Sequence, residues 1–193
     1  MLRGRALNQQ EIAALMKACA DDPSPAGARD AAMIAIGRGG LRRSEIVTLE
    51  VKDFDPDTGA LIIRQGKGGK DRIAYLPRNA IAAVNDWLVI RGQEPGALLC
   101  PVHHSTIIIR HLCDQSVLTI LRKRQKESGV EPFSPHDLRR TFISDLLDAG
   151  ADIVTVQRLA GHSDPGTTAK YDRRGEAAKR RAVDLLDMPY EGR

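Results

Sequence analysis

His136, Arg139 and Arg140 lie within a turn and a half of one another in the stretch Ser134–Tyr171, and His162 and Tyr171 follow in the same stretch. A tyrosine with two histidines and paired arginines is a set that could attack a phosphodiester. A phenol has an ordinary pKa near ~10 and is a weak nucleophile until a base and nearby cations assist it. Phosphoryl transfer needs little covalent chemistry beyond that, mainly positioning and charge stabilisation of the pentacoordinate phosphorus. The arginines also fall where a helix favours anions. Ser134 with Asp137 reads as a capping box and Pro135 as a first helical residue, so His136, Arg139 and Arg140 occupy the opening turns. Arg139 lies three residues from His136 and shares its face.

The spacing of apolar residues supplies the elements that must hold this set. Leu138, Phe142 and Leu146 recur every fourth position, with Ile143 and Leu147 beside them, which predicts a helix ended by Gly150. A second helix runs from an N-cap at Asp152 through Ile153, Val156 and Leu159 to Gly161. His162 comes directly after it, then the turn Ser163-Asp164-Pro165-Gly166, then a short helical piece carrying Tyr171.

Upstream, Asn8 with Glu11 marks the start of a first helix whose buried stripe is Ile12, Leu15, Met16 and Cys19. A small-residue helix begins near Gly27 and closes on Gly37, Gly39 and Gly40. It leads into Leu41-Arg42-Arg43-Ser44-Glu45-Ile46 and another helix with Ile46, Val47 and Leu49 inward. An arginine fork can hold two phosphate oxygens, and a carboxylate three residues along can orient it. Leu61–Arg64 and Arg72–Leu76 read as strands of a β-hairpin, with Gln65-Gly66-Lys67-Gly68-Gly69-Lys70-Asp71 at its tip. This tip lacks the glycine–lysine spacing of a nucleotide-binding P-loop. Pro77–Arg91 is a helix with Ile81, Val84, Trp87 and Leu88 as its stripe, and Trp87 reads as core. Asp114–Gly129 is a helix with Val117, Leu118, Ile120 and Leu121 on one side; Arg122, Lys123, Arg124 and Lys126 form a basic face that is either solvated or a rail for a nucleic-acid backbone. Ala178, Ala182, Leu185 and Leu186 stripe a last helix over 176–187.

Composition sets the outer bounds. The 193 residues are 42% hydrophobic and 28% charged, with a formal net charge of +4. That is an ordinary globular balance with a mild bias towards polyanions. Cys19, Cys100 and Cys113 form no C-x-x-C pair, which points to a reducing compartment and not to a disulfide framework. Cys100, His103, His104, His111 and Cys113 have neither zinc-finger nor H-E-x-x-H spacing, so no metal is expected. No apolar run is long enough to span a membrane, and no signal peptide opens the chain. A single domain is expected, in the cytoplasm.

His136-Asp137-Leu138-Arg139 resembles the H-x-x-R motif of the tyrosine recombinases, the family of phage integrases and Xer-type resolvases. Leu159-Ala160-Gly161-His162, with Tyr171 nine residues after the histidine, resembles that family's histidine-plus-nucleophile segment. Gly40-Leu41-Arg42-Arg43-Ser44-Glu45 is similar to its first signature, and the GKGGKDR hairpin tip to its lysine-bearing hairpin. All of these occur in the family's order. The resemblance covers roughly residues 7 to 187.

That resemblance implies an α+β fold: a mainly helical catalytic domain with a small antiparallel β-sheet beside the active site. By match, Arg42 and Arg139 clamp the scissile phosphate, Glu45 supports them, and His162 adds a hydrogen bond. His136 helps take the tyrosine proton, Tyr171 is the nucleophile and Lys67 protonates the leaving 5′ hydroxyl. Arg43, Lys70 and Arg140 are candidates for contacts to DNA. The implied reaction cleaves and rejoins double-stranded DNA through a 3′-phosphotyrosyl link, with neither metal, ATP nor another cofactor, and nucleoid-associated when on DNA. In the family a C-terminal segment like 176–193 can link protomers of a synaptic tetramer; packing on its own domain is the other reading here. The N-terminal helical domain that completes a clamp in the family is expected to be absent from residues 1–193. Three rival readings remain: a type IB topoisomerase-like enzyme that relaxes supercoils, a DNA-binding module with no cleavage, and a histidine metallohydrolase that a chelator would inactivate.

Overall fold

Asn8 caps the first helix, α1 (Gln9–Ala20): its side chain accepts from Glu11 N, and Glu11 reaches back to Asn8 N at 2.9 Å. The computed structural model describes residues 4–64, 71–162, 164–172, 174–187 and 189. The further elements are α2 (Pro25–Arg38), α3 (Arg43–Thr48), the hairpin β1 (Ala60–Ile63) and β2 (Arg72–Tyr75), and α4 (Arg78–Arg91). A two-residue-per-strand ribbon follows, β3 (Val102–His103) and β4 (Thr106–Ile107). Then come α5 (Asp114–Ser128), α6 (Pro135–Asp148), α7 (Ile153–Ala160), α8 (Pro165–Ala169) and α9 (Gly175–Val183). The architecture is α+β, mainly helical, with small antiparallel pairs.

α2 is the centre of the packing, and its composition says why. Ala32, Met33, Ile34, Ala35 and Ile36 are all buried, so the helix is apolar around its whole circumference, as a helix covered on every side must be. It touches α1, α3, α4, α5 and α6. Its small residues let neighbours come close: a Cβ on Gly27 would meet the Asp22 and Cys19 carbonyl oxygens at 2.1 and 2.6 Å. Gly37, expected to close this helix, lies inside it, and Gly39 takes the C-cap. Trp87 is fully buried and donates from Nε1 to Leu98 O at 2.7 Å, as core tryptophans do when a carbonyl is within reach.

The basic face expected on α5 needs correction at one position. Arg122, Lys123 and Lys126 are exposed, but Arg124 is fully buried. Its guanidinium donates to Asp30 Oδ2 (2.8 Å), Asp22 Oδ2 (2.6 Å), Glu127 Oε2 (2.9 Å) and Ala18 O (3.2 Å). It therefore pins α5 to α1 and α2. A buried cation persists only with such partners.

β1 and β2 pair antiparallel with Ile62 opposite Ile73 and Ile63 opposite Arg72. The alternation puts Leu61, Ile63 and Ala74 inward. A second, smaller apolar cluster lies beside the main core: Phe142, Ile143 and Leu147 of α6 with Val156 and Ala160 of α7, and Tyr171 packed against it. It packs α6 and α7 together with Tyr171 against them, and so bears on where His162 and Tyr171 sit. Among the described residues, no helix is long and apolar enough to cross a membrane.

Candidate active site

The opening turn of α6 is held from both sides. Asp137 Oδ2 accepts from Ser134 N and Oγ at 2.9 and 2.8 Å, and Oδ1 accepts from Arg5 N at 2.9 Å. His136 is exposed on that turn. Desolvation by its neighbours and the cations of Arg139 and Arg140 hold its pKa below the ordinary imidazole value. Arg139 is only 2% exposed and donates to Gly40 O and Ala160 O.

The last carbonyls of an α-helix have no partner within the helix and carry the negative end of its dipole. At the end of α7, three consecutive carbonyls each accept from a different arginine. Leu159 O accepts from Arg72 Nη1 (2.9 Å), Ala160 O from Arg139 Nη2, and Gly161 O from Arg42 Nη2 (2.7 Å). The three come from a strand, a helix and a helix N-cap far apart in sequence. One carboxylate sits among them: Glu45 Oε1 accepts from Arg42 Nη1 at 2.6 Å, and Oε2 from Arg72 Nη2 and Arg42 N, both at 2.7 Å. Three guanidinium groups around one buried carboxylate leave the cluster electropositive. Burial, then the cation of Arg42, pushes Arg139 down to about 10. An anion would relieve that repulsion, and each guanidinium has five donors, of which only some are taken here.

His162 follows Gly161, whose αL backbone (φ +64°) ends α7. Its Nδ1 is 2.9 Å from Thr168 Oγ1, and its backbone NH bonds Gln157 O at 3.1 Å. Burial, with Arg139, Arg42, His136 and Arg72 behind it, lowers its pKa to about 4, so the ring is neutral near pH 7. Tyr171 N bonds Thr168 O at 3.0 Å. The tyrosine lies in the turn just past α8 and not within a helix as expected. Its ring stacks on His162 at 6.3 Å between centroids with 20° between planes. Arg140 Cζ stands 5.1 Å from the Tyr171 centroid, a cation–π contact that brings a charge to the phenol.

The structure thus gathers Arg42, Glu45, Arg139, His162 and Tyr171, with His136 and Arg140 on the adjoining turn. Arg43 is not in this group; it is exposed and pairs with Asp114 Oδ2 at 3.4 Å. Lys67 and Lys70 lie outside the described residues. Two members escaped the sequence reading, Arg72 and Thr168. Arg72 looked like an ordinary strand residue and Thr168 like part of the short helical piece before Tyr171; neither carries a local signal. Among the described residues no three His, Cys, Asp or Glu side chains converge on a metal position. His111 Nδ1 contacts Val47 O at 2.8 Å, and Cys100 is buried with its Sγ on Ala97 O.

Comparison with known proteins extends this geometry. The phage integrase family model matches residues 5–177. The tyrosine recombinase XerA of Thermococcus kodakarensis is 33% identical over 168 residues, which cover 86% of this chain and 57% of the relative. The tyrosine recombinase XerD of Listeria innocua is 35% identical over 173 residues, covering 86% and 57%. The chain thus spans a little over half the length of the curated relatives it matches. Among solved structures, the XerA recombinase superposes with a TM-score of 0.75 at 23% identity, over 98% of this chain and 66% of that one. The XerH site-specific recombinase bound to palindromic difH substrate superposes with a TM-score of 0.72 at 23% identity, over 94% and 53%. With the family model matched over residues 5–177, the chain belongs to the phage integrase family.

Proposed function

We propose that this chain carries the catalytic part of a site-specific DNA recombinase, cutting and rejoining duplex DNA through a 3′-phosphotyrosyl intermediate. The observation that carries the reading is the arginine cluster at the end of α7 with Tyr171 stacked beside its histidine. In this reading Arg42 and Arg139 turn their remaining N–H groups to the non-bridging oxygens of the scissile phosphate. Glu45 keeps Arg42 in place. His162 Nδ1 accepts a hydrogen bond from the Thr168 hydroxyl, which leaves Nε2–H as a donor to the phosphate. His136, neutral at pH 7, helps remove the phenol proton. Tyr171 Oη attacks phosphorus, the P–O5′ bond breaks, and Lys67 donates a proton to the departing 5′ oxygen. Attack by a 5′ hydroxyl of a partner strand reverses the step. The phosphotyrosyl bond keeps the energy of the phosphodiester, so strand exchange needs no nucleotide. Arg43, Lys70 and Arg140 serve the DNA backbone, whose phosphates supply most of the affinity. The work is done in the cytoplasm, on the nucleoid.

Assembly on DNA into a synaptic tetramer belongs to the same proposal. Val183, Leu185 and Leu186 of the C-terminal segment are all exposed. An apolar cleft of about 730 Å³, lined in part by Ile12, Met16, Leu76, Phe142 and Leu146, lies open on the same domain. Seating one protomer's tail in its neighbour's cleft would cover both surfaces.

The test is covalent trapping. Nicked duplexes taken from the DNA flanking the gene are incubated with protein in EDTA at low salt, and a protein–DNA adduct is sought on a denaturing gel. An adduct that disappears in Tyr171→Phe supports the reading; an adduct that persists in that variant sinks it. Supercoil relaxation without site preference would favour a topoisomerase, and duplex binding with no adduct on any site a binding module.

A further inference from the structure

Glu45 has two arginine partners on two different oxygens, and the second of them has no place in the mechanism above. Arg72 is the first residue of β2, at the tip end of the hairpin, opposite Ile63. Its side chain is 12% exposed and its Nε is buried. One Nη holds Glu45 Oε2 and the other holds Leu159 O. Gly161 makes room for it: a Cβ there would lie 2.5 Å from Arg72 Nε and 2.6 Å from Cδ.

An arginine beside a lone carboxylate tends to grip both oxygens in a fork. Arg42 does not. Its side chain reaches only Oε1, at 2.6 Å, because Arg72 and the Arg42 backbone NH occupy Oε2. Its other Nη is thereby free to bond Gly161 O, in line with Arg139 on the preceding carbonyl. With Arg72 gone, Arg42 could close on both oxygens of Glu45 and turn away from α7.

We infer that Arg72 is a positioning residue: it keeps the Arg42–Glu45 pair one-sided, so that Arg42 faces a phosphate beside Arg139, and it ties the hairpin to the end of α7 that carries His162. The inference rests on the transesterification reading for its consequence, though not for its geometry. It also gives the hairpin a mechanical link to the site, since Arg72 is the residue that follows Asp71, the last of the tip.

The experiment compares wild type, Arg72→Gln and Arg72→Lys in single-turnover cleavage of nicked duplex, alongside duplex affinity and the ¹⁵N guanidinium resonances of Arg42. Arg72→Gln is expected to lower the cleavage rate on the order of 10²-fold, the usual effect of a group misplaced by about 1 Å. Affinity should change by less than about threefold, because the charge on the DNA-facing phosphate contacts is kept. Lysine can reach Glu45 or Leu159 O but not both, so Arg72→Lys should recover only part of the rate. The resonances of Arg42 should move in Arg72→Gln as it takes both carboxylate oxygens. Unmoved Arg42 resonances, or an unchanged cleavage rate, would overturn the inference. A wild-type chain that forms no adduct would count against the transesterification reading, and the Arg42 resonances would then decide on Arg72 alone.

Discussion

Thr168 Oγ1 and His162 Nδ1 stand 2.9 Å apart, across a turn that also carries Tyr171 three residues further on. Thr168 is fully buried, and its hydroxyl meets this ring away from solvent. Thr168→Val keeps the shape and removes the hydrogen bond. It should slow adduct formation about tenfold, the worth of a hydrogen bond of roughly 1–1.5 kcal/mol. Thr168→Ser should restore most of the rate, and duplex affinity should be the same in all three. Equal rates for valine and threonine would remove Thr168 from the site.

The two histidines predict a pH dependence of stability. His162 falls from 6.5 to about 4 on folding, through burial first and then through Arg139 and Arg42. His136 is lowered in the same direction. Between those values the unfolded chain binds more protons than the folded one, so stability rises with pH there. The contribution is complete above about 6.5 and is lost as the pH falls towards about 4. Urea midpoints taken from pH 7 down to pH 4.5 should drop, and His162→Gln should flatten the slope. An identical slope in that variant would show that the carboxylates alone set the acid limit.

Arg124 was expected on a solvated or DNA-facing surface, and its burial predicts the opposite behaviour from its neighbours. Arg124→Ala leaves Asp30 buried without this partner and should cost on the order of 3–5 kcal/mol in urea unfolding. Arg122→Ala and Lys126→Ala, both exposed, should stay within about 0.5 kcal/mol. A mild Arg124→Ala would mean that Asp30 is adequately held by Arg29, which contacts it at 2.5 Å.

Gly161 and Gly150 both have a positive φ, +64° and +95°, but only Gly161 faces a side chain of the site. Alanine at either position strains the backbone by about 1–2 kcal/mol. At Gly150 nothing lies within 4 Å of the added methyl, whereas at Gly161 Arg72 must move. Both variants should lose stability; Gly161→Ala alone should lose a further order of magnitude in cleavage rate. Parallel losses in the two would argue that Arg72 adapts without consequence.

Local chemistry was readable from the residues because it acts over a turn or two. The Asn8–Glu11 and Ser134–Asp137 boxes place the starts of α1 and α6, and the four-residue repeat from Leu138 places the face of α6. The order Arg42, Glu45, His136, Arg139, His162 and Tyr171 resembles that of the tyrosine recombinase motifs, and it is this resemblance that implies a phosphate-directed set before any contact is known. Arg124 was also within reach, since it stands seven residues after Val117 on the buried stripe of α5; its charge disguised its periodicity. Arg72 was not. Its partners lie 27 and 87 residues away, and a strand residue one place from a glycine-rich tip looks the same whether it meets water or Glu45. The chain order named the residues; only the packing of α6, α7 and the hairpin around the unpaired carbonyls of one helix end could turn three distant arginines onto a single point, because the free energy of that arrangement comes from burial and from contacts that no local stretch contains.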